Sequence, residues 1–320
     1  MLQANISQQF SANAKLMITG EYLVLYGALA LAIPLKFNQL LEVSEHEGKP
    51  SLHWKTYIKG KPWFDVVFSL DDFVIANTND FPTALNLRSM LLAAKSLNSD
   101  FLGNPHKYEA YSELNFDISW GLGSSSSLIA NVSKWANVDP FSLFAKVSEG
   151  SGYDLATALS DSPILFRRKE TEILSEKCNF YPEFHNNLYF AYLGKKRSST
   201  EAVSKFKELN HSNLDKSIQS LNSITSSIIQ TTELREFQKL IKEHEKIISE
   251  VLGIPSIAKK ELRDFDGEIK SLGAWGGDFI LLATDKPSDY VVSWLNKKDL
   301  KIWFRYKDIA LKSSNLKNQY

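Results

Sequence analysis

The chain has 320 residues and carries 37 Lys plus Arg against 37 Asp plus Glu, so its formal charge is zero. That length can bury a full core and favours two domains over one, and the balanced charge argues against a nucleic-acid or polyanion binder, which would be basic. A hydrophobic share of 43% with 23% charged residues excludes a disordered chain. The lone cysteine, Cys178, excludes an internal disulfide and points to a reducing, cytoplasmic setting. The six histidines are scattered without metal-ligand spacing. No apolar run reaches the length of a membrane span, and no signal-peptide pattern precedes Lys15.

The first third reads as strands. Phe10–Ile18, Ala28–Ile33, Leu40–Glu45, Leu52–Ile58 and Phe64–Leu70 are rich in β-formers and separated by Gly, Pro or charged breaks. Pro82 starts a helix, Thr83–Leu97, with Leu85, Met90, Leu91 and Ala94 on one side. A strand from Glu113 to Ile118 leads into Gly121-Leu122-Gly123, and a helix follows to about Asn137. Asp139-Pro140 is an N-cap with a first-turn proline. It opens a helix to about Ser148 that breaks at Gly150-Ser151-Gly152. A helix from Asp154 to Leu159 and a strand from Ile164 to Arg168 come next.

The turn-rich stretch from Cys178 to His185 suggests a domain boundary, with 1–180 as the nucleotide-binding and catalytic domain and 181–320 as a second domain. Beyond it come a strand, Leu188–Leu193, and helices Thr200–Leu209 and Leu214–Gln230. Leu234, Phe237, Leu240, Ile241, His244, Ile247, Ile248 and Val251 recur at three-four spacing, which makes Glu233–Leu252 an amphipathic helix with His244 at the edge of the core. A strand Phe279–Thr284, a helix Ser288–Leu295 and a strand Leu300–Tyr306 close the chain. Strands followed by helices in each half indicate an α+β fold.

Gly121-Leu122-Gly123 is followed by Ser124, Ser125, Ser126 and Ser127 and then an apolar helical stretch. Glycines let a backbone approach a ligand closely, and a helix N-terminus offers free N–H groups to an anion. The Walker lysine is absent, and Ser126 stands where a dinucleotide loop has its third glycine. Such a loop is a turn on one reading and a phosphate cradle on the other. Asp154, in Gly150-Ser151-Gly152-Tyr153-Asp154-Leu155-Ala156, reads as a helix cap or as a group that orients or deprotonates a hydroxyl. Lys15 lies in an otherwise uncharged strand and needs a partner carboxylate or phosphate. Gly273 to Gly277 form a second glycine loop running into Asp278. Arg167, Arg168, Lys195, Lys196 and Arg197 read as solvated surface or as a hold for an acidic substrate.

The ordered segments Ala14-Lys15-Leu16, Gly20-Glu21-Tyr22-Leu23-Val24-Leu25-Tyr26-Gly27-Ala28, Gly121 to Ser126, Gly150 to Ala156 and Gly273 to Asp278 resemble the GHMP small-molecule kinases, from Phe10 to about Tyr306. Gly150 to Asp154 and Leu193-Gly194-Lys195 with Ser199-Thr200 are most similar to phosphomevalonate kinases. The chain also resembles a bacterial subgroup named for Gly-Tyr-Asp-Ile-Ala, with Leu155 replacing the isoleucine. The resemblance implies an N-terminal domain like domain 2 of ribosomal protein S5 and a C-terminal ferredoxin-like domain. It implies ATP and Mg²⁺ as cofactors and mevalonate or phosphomevalonate as the acceptor. A sugar or sugar-phosphate kinase and a non-catalytic binding protein are the alternatives.

By the same resemblance, Gly121, Leu122, Gly123, Ser124, Ser125 and Ser126 would hold the ATP phosphates, with Ser125 also a Mg²⁺ ligand. Asp154 would be the catalytic aspartate, with Lys15 beside it and the γ-phosphate. Glu21, Lys195, Ser199, Thr200, Gly276, Gly277 and Asp278 would lie on the substrate side, Glu21 as a brace. Glu149 is a candidate metal ligand or a solvated helix-end carboxylate. Two departures stand out: Asp117-Ile118-Ser119-Trp120 replaces a proline before the loop, and Trp275 replaces a glycine. The expected partner is a small molecule, with neither nucleic acid nor membrane; oligomeric state is left open.

Overall fold

The computed structural model describes residues 7–170, 172–195, 199–208, 214–275 and 278–312. The strands and helices run in the order β1 (Ser7–Thr19), β2 (Ala30–His46), β3 (Ser51–Ile58), β4 (Lys61–Ser69), β5 (Ile75–Thr78), α1 (Phe81–Leu97), β6 (Lys107–Leu114), α2 (Ser124–Trp135), α3 (Pro140–Val147), α4 (Tyr153–Leu159), β7 (Ile164–Lys169) and β8 (Glu172–Lys177). They continue with β9 (Leu188–Tyr192), α5 (Ser199–Lys207), α6 (Leu214–Gln230), α7 (Leu234–Leu252), α8 (Ile257–Lys260), β10 (Glu268–Ser271), β11 (Phe279–Ala283), α9 (Ser288–Lys297), β12 (Trp303–Arg305) and α10 (Tyr306–Ile309). The chain divides into two compact units. One comprises the chain through Ala14, Phe37–Ile118 and Gly123–Leu159; the other comprises Lys15–Lys36, Ser119–Leu122 and the chain from Ser160 onward.

In the first unit the strands follow the order β5-β4-β3-β6-β2. β3 runs parallel to β6, with Trp54 opposite Ala110, and antiparallel to β4. Alternation sets the faces: Leu52, Trp54 and Thr56 of β3 are buried, as are Tyr108, Ala110 and Ser112 of β6. They join a core with Leu87, Leu91, Val132, Trp135 and Leu143 from α1, α2 and α3. Two of these helices begin as their caps dictate. Asp80 Oδ1 accepts the Thr83 N–H at 3.1 Å, and Asp139 Oδ2 accepts the Ser142 N–H at 2.7 Å.

In the second unit β9, β10, β11 and β12 form an antiparallel sheet in the order β10-β11-β9-β12. Helices α5 to α8 lie between β9 and β10, and α9 lies between β11 and β12, an elaborated form of the split βαβ pattern. α7 buries Phe237, Leu240, Ile241, His244, Glu245 and Ile248. Each large apolar side chain among them contributes about 1.5–3 kcal/mol of transfer energy. Ala30–Ala32 of β2 pair with Ile164–Phe166 of β7, which pairs with β8.

Several sequence expectations change. The two strands expected between Ala28 and Glu45 are one 17-residue strand, β2, with no break at Pro34. The strand before the glycine loop lies earlier, at Lys107–Leu114, and Ile118–Trp120 is a single 3₁₀ turn. The last strand is only Trp303–Arg305. β5, β8 and β10 are short additions that the sequence pattern did not mark.

Candidate functional site

The second unit presents Lys15, the Gly121–Leu122 segment and the Gly273 loop. The Lys15 N–H donates to the Leu122 carbonyl at 3.0 Å, so the strand carrying the lysine is bonded directly to the glycine loop. The Lys15 side chain is buried, at 7% exposure. Asp278 is buried as well, and its Oδ2 accepts the Ala274 N–H at 3.3 Å. A Cβ placed on Gly121 would stand 3.0 Å from the Asp278 Cγ, and one on Gly273 would stand 2.9 Å from its Oδ2. Both glycines have left-handed φ values, +70° in each case. Only glycine fits these two positions, for space and for backbone conformation. Tyr192 of β9 closes the other side, its hydroxyl donating to the Ser119 carbonyl at 2.8 Å.

Trp275 has a left-handed backbone, with φ +38°. Its indole is 3% exposed and packs with Leu23, Ala28, Phe206, Leu221 and Ile248. The strain of that backbone is offset by the area the ring buries. The ring therefore anchors the loop to helices α5, α6 and α7.

Glu21 follows β1 and Gly20. Gly20 has φ +100°, and a Cβ on it would lie 2.7 Å from the Cβ of Ala30. The Glu21 carboxylate is enclosed: Oε1 accepts from Lys270 Nζ, and Oε2 lies 3.2 Å from His244 Nε2. Burial pushes its carboxyl up, but the Lys270 ammonium more than offsets this and holds it below its ordinary value. His244 is wholly buried, and its Nε2 accepts the Gly20 N–H at 3.2 Å. Burial and the Lys270 charge lower it to about 4, so the ring is neutral. Glu245 Oε2 accepts from Ser271 Oγ at 3.0 Å, and burial raises its carboxyl to about 7. Sequence reasoning placed His244 at the edge of the core and did not single out Lys270 or Glu245.

The first unit presents Gly123, the start of α2 and the start of α4. Gly123, at φ +89°, is the N-cap of α2. Ser124 is half-buried, Ser125 exposed, and Ser126 and Ser127 buried. Ser127 Oγ donates to Gln39 Oε1 at 2.7 Å, and Asn131 Nδ2 donates to the Gln39 carbonyl at 2.8 Å. These bonds fasten α2 to β2, while Ser125 is exposed. Asp154 lies inside the first turn of α4. The carbonyl that starts the helix belongs to Gly152, which accepts the Ala156 N–H at 3.0 Å. Asp154 is thus not the N-cap. Glu149 is exposed in the loop after α3.

Lys195 is exposed at the end of the β9 segment. Ser199 and Thr200 form the first turn of α5. Gly276, Gly277, Lys196 and Arg197 lie outside the described residues. Among the described residues, no group of three His, Cys, Asp or Glu side chains could hold a metal ion, and no helix is long and apolar enough to cross a membrane.

No protein-family model matches the chain, and no curated protein matches it by sequence. Solved structures do match its fold. The L. major mevalonate kinase in complex with R-mevalonate aligns at 16% identity and TM-score 0.68, covering 98% of each chain. The Streptococcus pneumoniae phosphomevalonate kinase in complex with phosphomevalonate and AMPPNP aligns at 17% identity and TM-score 0.67, covering 93% of this chain and 99% of that one. The Lactococcus lactis galactokinase complexed with galactose aligns at 13% identity and TM-score 0.66, covering 97% and 94%. The chain shares the mixed α and β fold of these three kinase structures.

Proposed function

We propose that this chain is an ATP-dependent GHMP-type kinase that transfers the γ-phosphoryl group to mevalonate, phosphomevalonate or a similar compact acidic metabolite. The observation that carries the reading is the seat of Gly121–Leu122, bonded to Lys15 on one side and closed by Asp278 on another. Lys15 and Asp278, far apart in sequence, both meet one short glycine loop, and a plain surface turn has no use for them. The N–H groups that open α2 would face the phosphates, as at any helix N-terminus.

Asp154 would take the proton of an attacking hydroxyl, or orient a phosphate acceptor. The acceptor oxygen then bonds to the γ-phosphorus as the bond to the bridging oxygen breaks, and ADP leaves. The Lys15 ammonium would balance the charge spread over the transferring group. Mg²⁺ would be held by the Ser125 hydroxyl, with the Glu149 carboxylate as a further candidate, since this ion takes oxygen donors and keeps several waters. When bound it would neutralise phosphate charge. Lys195, with Ser199, Thr200 and the Gly276-Gly277 pair, is proposed to meet the acceptor.

A sugar or sugar-phosphate kinase is the second reading, favoured by the nearly equal TM-score of the galactokinase. Thermal unfolding with ATP–Mg²⁺, followed by ADP release with mevalonate, phosphomevalonate, galactose and galactose phosphate, separates these readings. A ligand-induced rise in Tm with turnover on an acidic acceptor is expected. Turnover on the sugars alone selects the second reading. A Tm rise without turnover on any acceptor leaves a binding protein that kept the fold.

A further inference from the structure

Lys270 is a fully buried cation that the transfer chemistry above does not use. It lies in β10, three residues before Gly273. A lone ammonium in such a place would lose its charge unless paired. Its Nζ donates to Glu21 Oε1 and to the Ser271 carbonyl at 2.9 Å, and lies 4.0 Å from Glu245 Oε1. Beside it, His244 receives the Gly20 N–H and Glu245 receives the Ser271 hydroxyl. The end of β1, the end of β10 and the middle of α7 therefore meet at one ammonium.

Both tied segments lead to the glycine-loop seat. β1 carries Lys15, five residues before Gly20, and the Lys15 N–H holds Leu122. β10 leads to Leu272, whose N–H donates to the Phe279 carbonyl at 2.9 Å, and then to Gly273 and Asp278. Gly20 leaves no room for a side chain, since a Cβ on it would lie 2.8 Å from the Ala30 Cα. Ion pairs buried this deeply add little net stability compared with apolar packing, and their best-attested use is to fix register.

We propose that Lys270 is a positioning residue: by tying Glu21 to β10 it sets the spacing between the strand that presents Lys15 and the loop that presents Asp278. This rests on the kinase reading. The ammonium touches neither phosphate nor acceptor; it acts through Glu21.

The test compares Lys270→Met, Glu21→Gln and the double variant with the parent. Lys270→Met alone leaves the Glu21 carboxylate buried without its cation, so its Tm should fall. The double variant removes both charges and should recover most of that loss. If Lys270 positions the site, the double variant still loses kcat by about tenfold to a hundredfold, with KM for ATP within about threefold. Amide hydrogen exchange at Lys15, Gly20 and Leu272 should also be faster than in the parent. A double variant with parental kcat and parental exchange would make the pair purely structural and overturn the proposal. Should the double variant not fold, Lys270→Met, which removes the tie to Glu21 outright, is read by the same two measurements. A parent without turnover on any acceptor defeats the kinase reading; exchange at Lys15 and Leu272 then decides the positioning claim alone, unchanged exchange refuting it.

Discussion

The Asp278 carboxyl fills the space beside Gly121 in the second unit, its carbon 3.0 Å from where a Gly121 side chain would begin. Gly121→Ala meets that carboxyl and also a backbone at φ +70°, which alone costs about 1–2 kcal/mol for an L-residue. We expect a lower unfolding midpoint and weaker ATP binding. Adding Asp278→Ala should recover the steric part and leave the backbone part. A Gly121→Ala protein as stable as the parent in denaturant titration would remove the contact from consideration.

Asp154→Asn tests the proposed base. The helix starts at the Gly152 carbonyl, so the change removes no cap and the midpoint should stay near that of the parent. Proton acceptance is lost, and kcat should fall by about 10²–10⁴. Lys15→Met, which keeps side-chain length, should also lower kcat far more than ATP affinity. Turnover within a factor of three of the parent in either variant would exclude that residue from the chemistry.

The buried carboxyl and imidazole of α7 give opposite pH dependences. His244 is held down at about 4 from 6.5, so the folded state binds fewer protons there than the unfolded chain. Its contribution is full above 6.5 and is lost as pH falls toward 4. Glu245 is held up at about 7 from 4.5, so its contribution is full below 4.5 and is lost as pH rises through 7. Glu245→Gln should therefore gain on the parent from pH 5 to pH 8, by up to about 3 kcal/mol. Parallel stability curves for the two proteins would contradict this environment for Glu245.

Trp275→Gly suits the left-handed backbone at this position, yet it should destabilise. Removing a buried ring costs about 3–5 kcal/mol, while relief of the positive φ returns only about 1–2 kcal/mol. A drop in Tm is expected, along with faster exchange at Ala274. A gain in stability would mean that the indole contributes nothing through its contacts with Leu23 and Ile248.

The helices were readable wherever local chemistry decides them. Asp139 with Pro140 marks the start of α3, and the stripe from Leu234 to Val251 marks α7. β5 and β10, four residues each, carry too few alternations to register as strands. Lys15 drew notice as a lysine in an apolar strand, whereas Lys270 sits beside Glu268 in a four-residue segment with a single apolar side chain and gave no such signal. Its partner Glu21 lies 249 residues away, and no local rule pairs residues at that distance. The glycine loops were legible as motifs. That Asp278 is the group facing Gly121 and Gly273 was not, because only the folded β9–β11 sheet brings them together.

The chain passes between its two compact units five times, at 14/15, 36/37, 118/119, 122/123 and 159/160. Synthesis runs from the N-terminus, so Lys15–Lys36 leaves the ribosome long before β7 and α7, which later hold it, have been made. Its apolar stretch, Ala28–Leu35, waits without those partners while residues 37–159 are produced. Exposed strand of that kind invites association between nascent chains. Expression at lower temperature or with a holdase chaperone should thus raise the soluble yield, and a fragment ending at Leu159 should be recovered mainly in aggregates.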